Sequence, residues 1–287
     1  MPFVFQPHLS RGSATPCVAR TMIQTGDLVN AFLLDEAKKQ TILGVSHDVM
    51  LKLSACLDDA EPIIKAVEEG KATIADGVRA NPGGTAMELP GVKDLRTRVE
   101  GFLYNVKGAL REIARVFGPF YGQNFNHKFQ KIRQWAESTY GADDALTKSL
   151  NADAAWIERV IGMRNAVDHP GSGDGTLCVE DFKVVRVNPL EVTEPSWRRD
   201  AESPSPIADE MSVIMDNLLT LFEELVVDGL MRLSPDGPLV IYEVPEAERD
   251  PKMPVRFRVG LDEASMKQLQ EAAARAAPPN PGDAERA

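Results

Sequence analysis

Met163-Arg164-Asn165-Ala166-Val167-Asp168-His169-Pro170 closes the helix on which the reading of this chain turns. Upstream of it Ala155, Trp156, Ile157, Val160 and Ile161 are apolar. Arg164 falls three residues after Ile161, four after Val160 and seven after Ile157, so it continues the inward stripe. Pro170 cannot donate to a helix ladder and disfavours helical geometry at the residue before it. The spacing therefore predicts a helix over about 143–167, with His169 lifted from its frayed end and Gly171-Ser172-Gly173-Asp174-Gly175 as a loop.

Working back toward the N-terminus, Leu103, Val106, Leu110, Ile113 and Phe117 recur at three- and four-residue steps, which predicts a helix from Leu95 to Phe117 stopped by Gly118-Pro119. A second helix is expected over about 126–140, with Phe129, Ile132 and Trp135 inward and Gly141 as its stop. Asn81-Pro82-Gly83-Gly84 and Pro90-Gly91 mark a boundary. Before it, Met1 to Gly26 reads as an irregular arm, and Asp27 as the cap of a short helix carrying Leu28, Phe32 and Leu33. Another helix is expected from Ser46 with Val49, Met50, Leu53, Leu57 and Ala60, and Pro62 reads as the start of a further piece through Ile63, Ile64 and Val67.

After the glycine loop, Leu177 to Val187 reads as one or two strands and the stretch through Pro189, Pro195 and Pro204 as irregular. Ile207, Met211, Ile214, Leu218, Leu221, Phe222 and Leu225 mark the inner face of a long helix over about 206–233. Ser234-Pro235-Asp236-Gly237 is a turn, and Leu239–Val244 with Val255–Val259 a hairpin carrying Arg256 and Arg258 on one side. A last helix over 263–276 and a Pro-rich disordered tail complete a mainly α chain. The expected divisions are 1–90, of unassigned role; 91–233, a helical bundle with a strand insertion at 177–203; and 234–287.

Composition narrows the chemistry. A formal charge of −11 over 287 residues is unfavourable for generic nucleic-acid binding, so any RNA contact must be local. Lys107, Arg111 and Arg115 form a basic stripe at four-residue spacing, and Lys128, Lys131 and Arg133 a second cluster; such stripes are either solvated faces or local RNA contacts. Cys17, Cys56 and Cys178 lack the spacing of a disulfide framework or zinc ribbon, and His8, His47 and His127 lack metal-ligand spacing, so neither a metal nor a cofactor is expected. Residues 1–22 have no unbroken apolar run of a secretion signal and no later window matches a membrane span, which predicts a cytoplasmic protein.

Arg164 and His169 are the groups that metal-free RNA cleavage requires. An arginine clamps phosphate through its planar fork of donors, and a histidine takes and gives protons near neutrality. His169 would remove the proton of an RNA 2'-hydroxyl, and the neighbouring phosphate would close to a 2',3'-cyclic product. Arg164 would stabilise the charge building on the phosphorane, and Asn165 would orient the phosphate or the arginine. Leaving-group protonation needs a second acid, which a second copy's histidine supplies, so a homodimer is expected. The competing reading places His169 at the dipole of a helix C-terminus, Arg164 on a buried carboxylate and Asn165 as a cap or in solvent. Glu100 and Asn105 are polar groups within range of such an arginine or simply solvent-facing.

Arg164-Asn165-Ala166-Val167-Asp168-His169 matches, without a gap, the Arg-Asn-x-x-x-His pattern of the HEPN superfamily, which the chain resembles over Leu95 to Leu233. The resemblance implies a four- or five-helix bundle, here with a small β insertion and a C-terminal β-hairpin. It also implies metal-independent endoribonuclease activity in a homodimer, as the toxic or defensive component of a bacterial system. Members that have lost catalysis imply the alternative, a non-catalytic module that binds another protein.

Overall fold

Pro16 opens the first helical run, because its fixed φ suits a first turn and its missing N–H is not needed there. In the computed structural model, which describes residues 11–77, 88–125, 128–171, 173–187, 190–235, 237–262 and 265–267, that run passes through α1 (Pro16–Val18), a π-helical turn (Ala19–Ile23) and α2 (Gln24–Ala31). The expected irregular arm to Gly26 is thus helical from Pro16, and Asp27, expected to cap a short helix, lies inside α2. The run is quiet in hydropathy because much of what it buries is small or polar: Cys17, Ala19, Thr21, Gln24 and Thr25. Leu28 and Phe32 point inward as expected, whereas Leu33 is fully exposed.

Asp35 caps α3 (Glu36–Ala75) by accepting from the Lys38 amide at 2.8 Å. The separate helices expected from Ser46 and from Pro62 are one helix of 40 residues. An interior proline costs roughly 3 kcal/mol. Ile42, Val45, Val49, Leu53, Cys56, Ala60, Ile63 and Val67 form one buried stripe running through Pro62, and each large apolar side chain in it contributes about 1.5–3 kcal/mol. The stripe outweighs the proline.

The stripe of α4 (Leu95–Ile113) is buried as its spacing requires. Gly118-Pro119 does not end the run. A 3-10 turn at Ala114–Val116 leads into α5 (Phe117–Tyr121), where Pro119 occupies a first-turn position whose N–H is dispensable, and the stop is Gly122 at φ 67°. Gly141, at φ 91°, stops α6 (Phe129–Tyr140). The Asp144 side chain caps α7 (Ala145–Asp168) through the Leu146 amide at 3.0 Å, and His169 follows in a non-helical conformation before Pro170.

The insertion is more ordered than its prolines suggested. It contains β1 (Leu177–Glu180), β2 (Lys183–Val187), β3 (Leu190–Thr193), β4 (Ser196–Arg199) and β5 (Ser205–Pro206), arranged as an antiparallel sheet β1-β4-β5 and a β2-β3 pair. Trp197 on β4 is wholly buried beside Phe102 of α4, an anchor large enough to override the turn-forming composition around it. Then α8 (Ile207–Leu233) buries its whole expected inner face, and β6 (Leu239–Glu243) pairs with β7 (Phe257–Leu261) from Leu239↔Leu261 to Glu243↔Phe257. Of the expected last helix only 265–267 is described, and it is helical; the remainder, and the tail, lie outside the described residues.

One hydrophobic core runs from Cys17 to Leu230. Within it α3 packs along both α4 and α8, and Gly70 of α3 receives the ring of Phe182 from the insertion. The expected boundary near residue 90 therefore does not separate two interiors: the long helix before it supplies one wall of the same bundle.

Candidate functional site

The site forms where α4 crosses the last turns of α7. Arg164 continues the inward stripe of α7, and only 12% of its side chain is exposed. Its guanidinium lies over the Tyr104 ring, 5.4 Å from the centroid, and its Nη1 faces Asp168, one turn on, as an ion pair without hydrogen-bond geometry. Among the described residues Arg164 Nε is buried with no hydrogen-bond acceptor, while Nη1 is in contact with the Asp168 carboxylate. A buried donor left without an acceptor costs about 1–3 kcal/mol, so this arginine keeps bonding capacity in reserve. Neither Glu100 nor Asn105 is its partner. Glu100 pairs with Arg96, and Asn105 donates to Asp59 at 3.2 Å.

Asn165 faces the other way. Its Oδ1 accepts from Lys107 Nζ at 2.9 Å, which fixes a lysine of α4 against α7. Lys107 lines two depressions at once. The smaller, about 260 Å³, is lined also by Lys52, Tyr104, Gly108, Arg111, Arg164 and Asp168. The larger, about 820 Å³, has Lys128, Lys131, Arg133, Asn165 and Arg199 among its lining, together with the carboxylates of Glu158 and Asp174. Adjacent residues in the chain, Arg164 and Asn165, thus serve different depressions that meet at Lys107.

His169 is exposed, and its amide donates to the Asn165 carbonyl at 2.8 Å. Among the described residues its imidazole has no hydrogen-bond or ion-pair partner, and it lines neither depression. The loop after it is held at its base: the Gly171 amide donates to the Gly175 carbonyl at 3.0 Å, and the Thr176 amide donates to Asp200 Oδ1 at 2.8 Å. The arginine and the asparagine are therefore brought beside Lys107, while the histidine stands at the helix end, one residue past Asp168.

The basic stripes divide. Arg115 is drawn off by Asp48 at 2.6 Å and by Glu112, which hold its pKa above the usual guanidinium value, and it lines neither depression. Arg111 shares Glu112, at 3.2 Å, yet still lines the smaller depression. Among the described residues Lys52, Lys107, Lys128 and Lys131 have no carboxylate within ion-pair distance, whereas Arg133 is held by Glu158 at 3.1 Å and Arg199 by Glu202 at 2.9 Å. In a chain of net charge −11, Lys107 thus shares its two depressions with three further lysines that have no carboxylate at ion-pair distance among the described residues.

Lys52 and Tyr104 were not identified from sequence. Tyr104 precedes Lys107 by three residues and Arg111 by seven, so it extends the basic stripe along one helical face, and that periodicity could have marked it. It is 58% exposed. Lys52 sits on α3 and reaches the site only because α3 packs on α4; its Nζ lies 5.8 Å from the Tyr104 centroid.

Among the described residues no three His, Cys, Asp or Glu side chains come together as a metal cluster, and no helix is long and apolar enough to cross a membrane. His8 and His127 lie outside the described residues. Set against protein-family models, curated proteins and solved structures, the chain finds no match.

Proposed function

We propose that this chain is a metal-independent endoribonuclease of the HEPN type, acting on single-stranded RNA as a homodimer. The observation that carries the reading is the gathering of Lys107, Asn165 and Arg164 at the end of α7, one short step in the chain from an exposed histidine with no competing side-chain partner among the described residues. His169 takes the proton from a ribose 2'-hydroxyl, the 2'-oxygen bonds to the adjacent phosphorus, and the bond from phosphorus to the 5'-oxygen breaks. His169 of a second copy gives the leaving oxygen its proton. Arg164 and Lys107 act on the oxygens that gain charge as phosphorus becomes five-coordinate. The products are a 2',3'-cyclic phosphate and a free 5'-hydroxyl, so neither water nor an outside nucleophile enters this step. A place as the toxic or defensive arm of a bacterial system belongs to the same proposal.

Incubation of the purified protein with varied single-stranded RNAs in EDTA tests it. Cleavage leaving 2',3'-cyclic ends, reduced about 10²–10⁴-fold in His169→Ala and strongly in Arg164→Ala, is the expected result. Cleavage that survives in both variants overturns the assignment.

A second reading has its own support. Arg164 already faces Asp168, and His169 lines neither depression, an arrangement suited to a non-catalytic HEPN-like module whose acidic surface binds another protein. Absence of cleavage by the wild type on every RNA, with a protein partner recovered and mapped to this face, would favour it.

A further inference from the structure

We infer that the smaller depression beside Tyr104 is a phosphate subsite for a nucleotide unit, with Lys52 of α3 as its outer ligand. The inference rests on the ribonuclease reading for the identity of the strand, and deepens it by naming which phosphate-binding groups lie outside the Arg-Asn-x-x-x-His stretch.

Charge comes first. Four cations, Lys52, Lys107, Arg111 and Arg164, line the depression with one carboxylate, Asp168. Arg111 is answered by Glu112. Arg164 faces Asp168, which leaves Lys52 and Lys107 without a counter-charge in the lining, a net positive pocket in an acidic protein. Among the described residues Lys107 is bonded only to a neutral amide oxygen and Lys52 only approaches an aromatic ring. Arg164, whose buried Nε has no acceptor among the described residues, belongs to the same lining. Like charges gathered in excess of their counter-charge are unfavourable until an anion enters, and phosphate presents pairs of oxygens that a guanidinium fork fits.

Size and shape narrow the ligand. About 260 Å³ lies below the roughly 300–1,000 Å³ of pockets that enclose a whole small molecule, so the depression suits one phosphate and the sugar attached to it. Gly108 makes room for the arrangement. A Cβ there would come within 3.2 Å of Lys52 Cδ and 3.3 Å of its Cε, so the lysine stem lies directly on α4 backbone and its ammonium is held near Tyr104. The larger depression continues from Lys107 toward Lys128 and Lys131, which gives a strand a second run of cations on the far side of Lys107. An RNA backbone phosphate and the phosphate of a free mononucleotide share this chemistry.

The test is binding to the full chain of two probes that cannot be cleaved: 5'-AMP and a single-stranded 2'-deoxy oligonucleotide, titrated over a range of salt. Lys52→Gln is expected to weaken binding about fivefold and to reduce the slope of log affinity against log salt by about 0.7. Gly108→Ala, which displaces the lysine stem without removing its charge, should also weaken binding. Asp168→Asn removes the competing carboxylate and should strengthen it, an effect that damage to the fold would not produce. Tighter oligonucleotide binding assigns the subsite to a strand, and equal binding of 5'-AMP assigns it to a free nucleotide; either supports the inference. No binding of either probe, or affinities and salt slopes unchanged in Lys52→Gln and Asp168→Asn, overturns it. Because neither probe carries a scissile ribose linkage, Lys52-dependent binding in a protein that cuts no RNA sinks the catalytic proposal and leaves the subsite standing.

Discussion

Lys107 Nζ donates to Asn165 Oδ1 at 2.9 Å, and this single bond joins α4 to α7 at the ridge between the two basic depressions. It sets the asparagine as a holder of the lysine rather than as a free group. Asn165→Asp should convert the contact into a half-buried ion pair, raising stability by about 0.3–1 kcal/mol in urea unfolding. The same change neutralises Lys107, so oligonucleotide affinity should fall about fivefold. Unchanged affinity in the stabilised variant would remove Lys107 from the RNA contact.

What could be read from sequence and what could not follow from the same physics. The stripes of α4 and α8 are made of large apolar residues at helical spacing, and the inward placement of Arg164 follows from Ile157, Val160 and Ile161 by spacing alone. The first helical run is legible only from Asp27 onward, through Leu28 and Phe32, because its earlier buried face is built from Cys17, Thr21, Gln24 and Thr25, which carry little hydropathy. Pro62 carries a local signal for a helix start, but long-range burial decides and keeps it inside α3. Trp197 lies among turn formers in the sequence, and what anchors it, burial against Phe102, is tertiary. At the site, Arg164, Asn165 and Lys107 were legible as local patterns. Lys52 was not, since nothing in a chain reports which lysine a second helix will bring across.

Gly70 carries the test of whether the long N-terminal helix and the strand insertion unfold together. A Cβ there would lie 2.5 Å from Phe182 Cζ and 3.3 Å from Pro90 Cβ, and the ring is buried. Gly70→Ala should therefore push Phe182 out of its seat and destabilise the protein by about 1–3 kcal/mol. Denaturant unfolding followed by tryptophan fluorescence and by circular dichroism should shift as one transition. Separate transitions for the two signals would mean that α3 is a unit of its own.

Glu243 provides a pH signature for the hairpin. Its carboxylate accepts from Arg256 Nε at 2.8 Å, a bond that, against partial desolvation, holds its pKa below the ordinary carboxylate value. A folded value below the unfolded one gives stability that is present above the unfolded value and lost as pH falls through the folded value. Wild type should exceed Glu243→Gln in urea midpoint near neutrality, with the gap closing below the ordinary glutamate value of about 4.3. The group is half-exposed, so the gap should be small. A gap that stays constant down to about pH 3 would dissociate it from this titration.

Glu223, wholly buried on α8, is where three parts of the chain are tied together. It accepts from Arg20 of the first helical run at two oxygens and from Gln24 Nε2 at 2.9 Å, and it lies 3.7 Å from Arg256 of the hairpin. Gln24 Oε1 in turn accepts from the Arg256 and Phe257 amides at 2.6 and 2.7 Å, so the same residue docks the hairpin on the bundle. Removing one member of a buried ion pair leaves the other charge uncompensated and costs about 3–5 kcal/mol. Arg20→Met should fall at the lower end of that range, because Gln24 and Arg256 remain on the carboxylate. Adding Glu223→Gln should recover part of the loss, since the amide keeps an acceptor for Gln24 without a buried charge. A double variant no more stable than Arg20→Met would show that the arginine acts through packing of its stem and not through its charge.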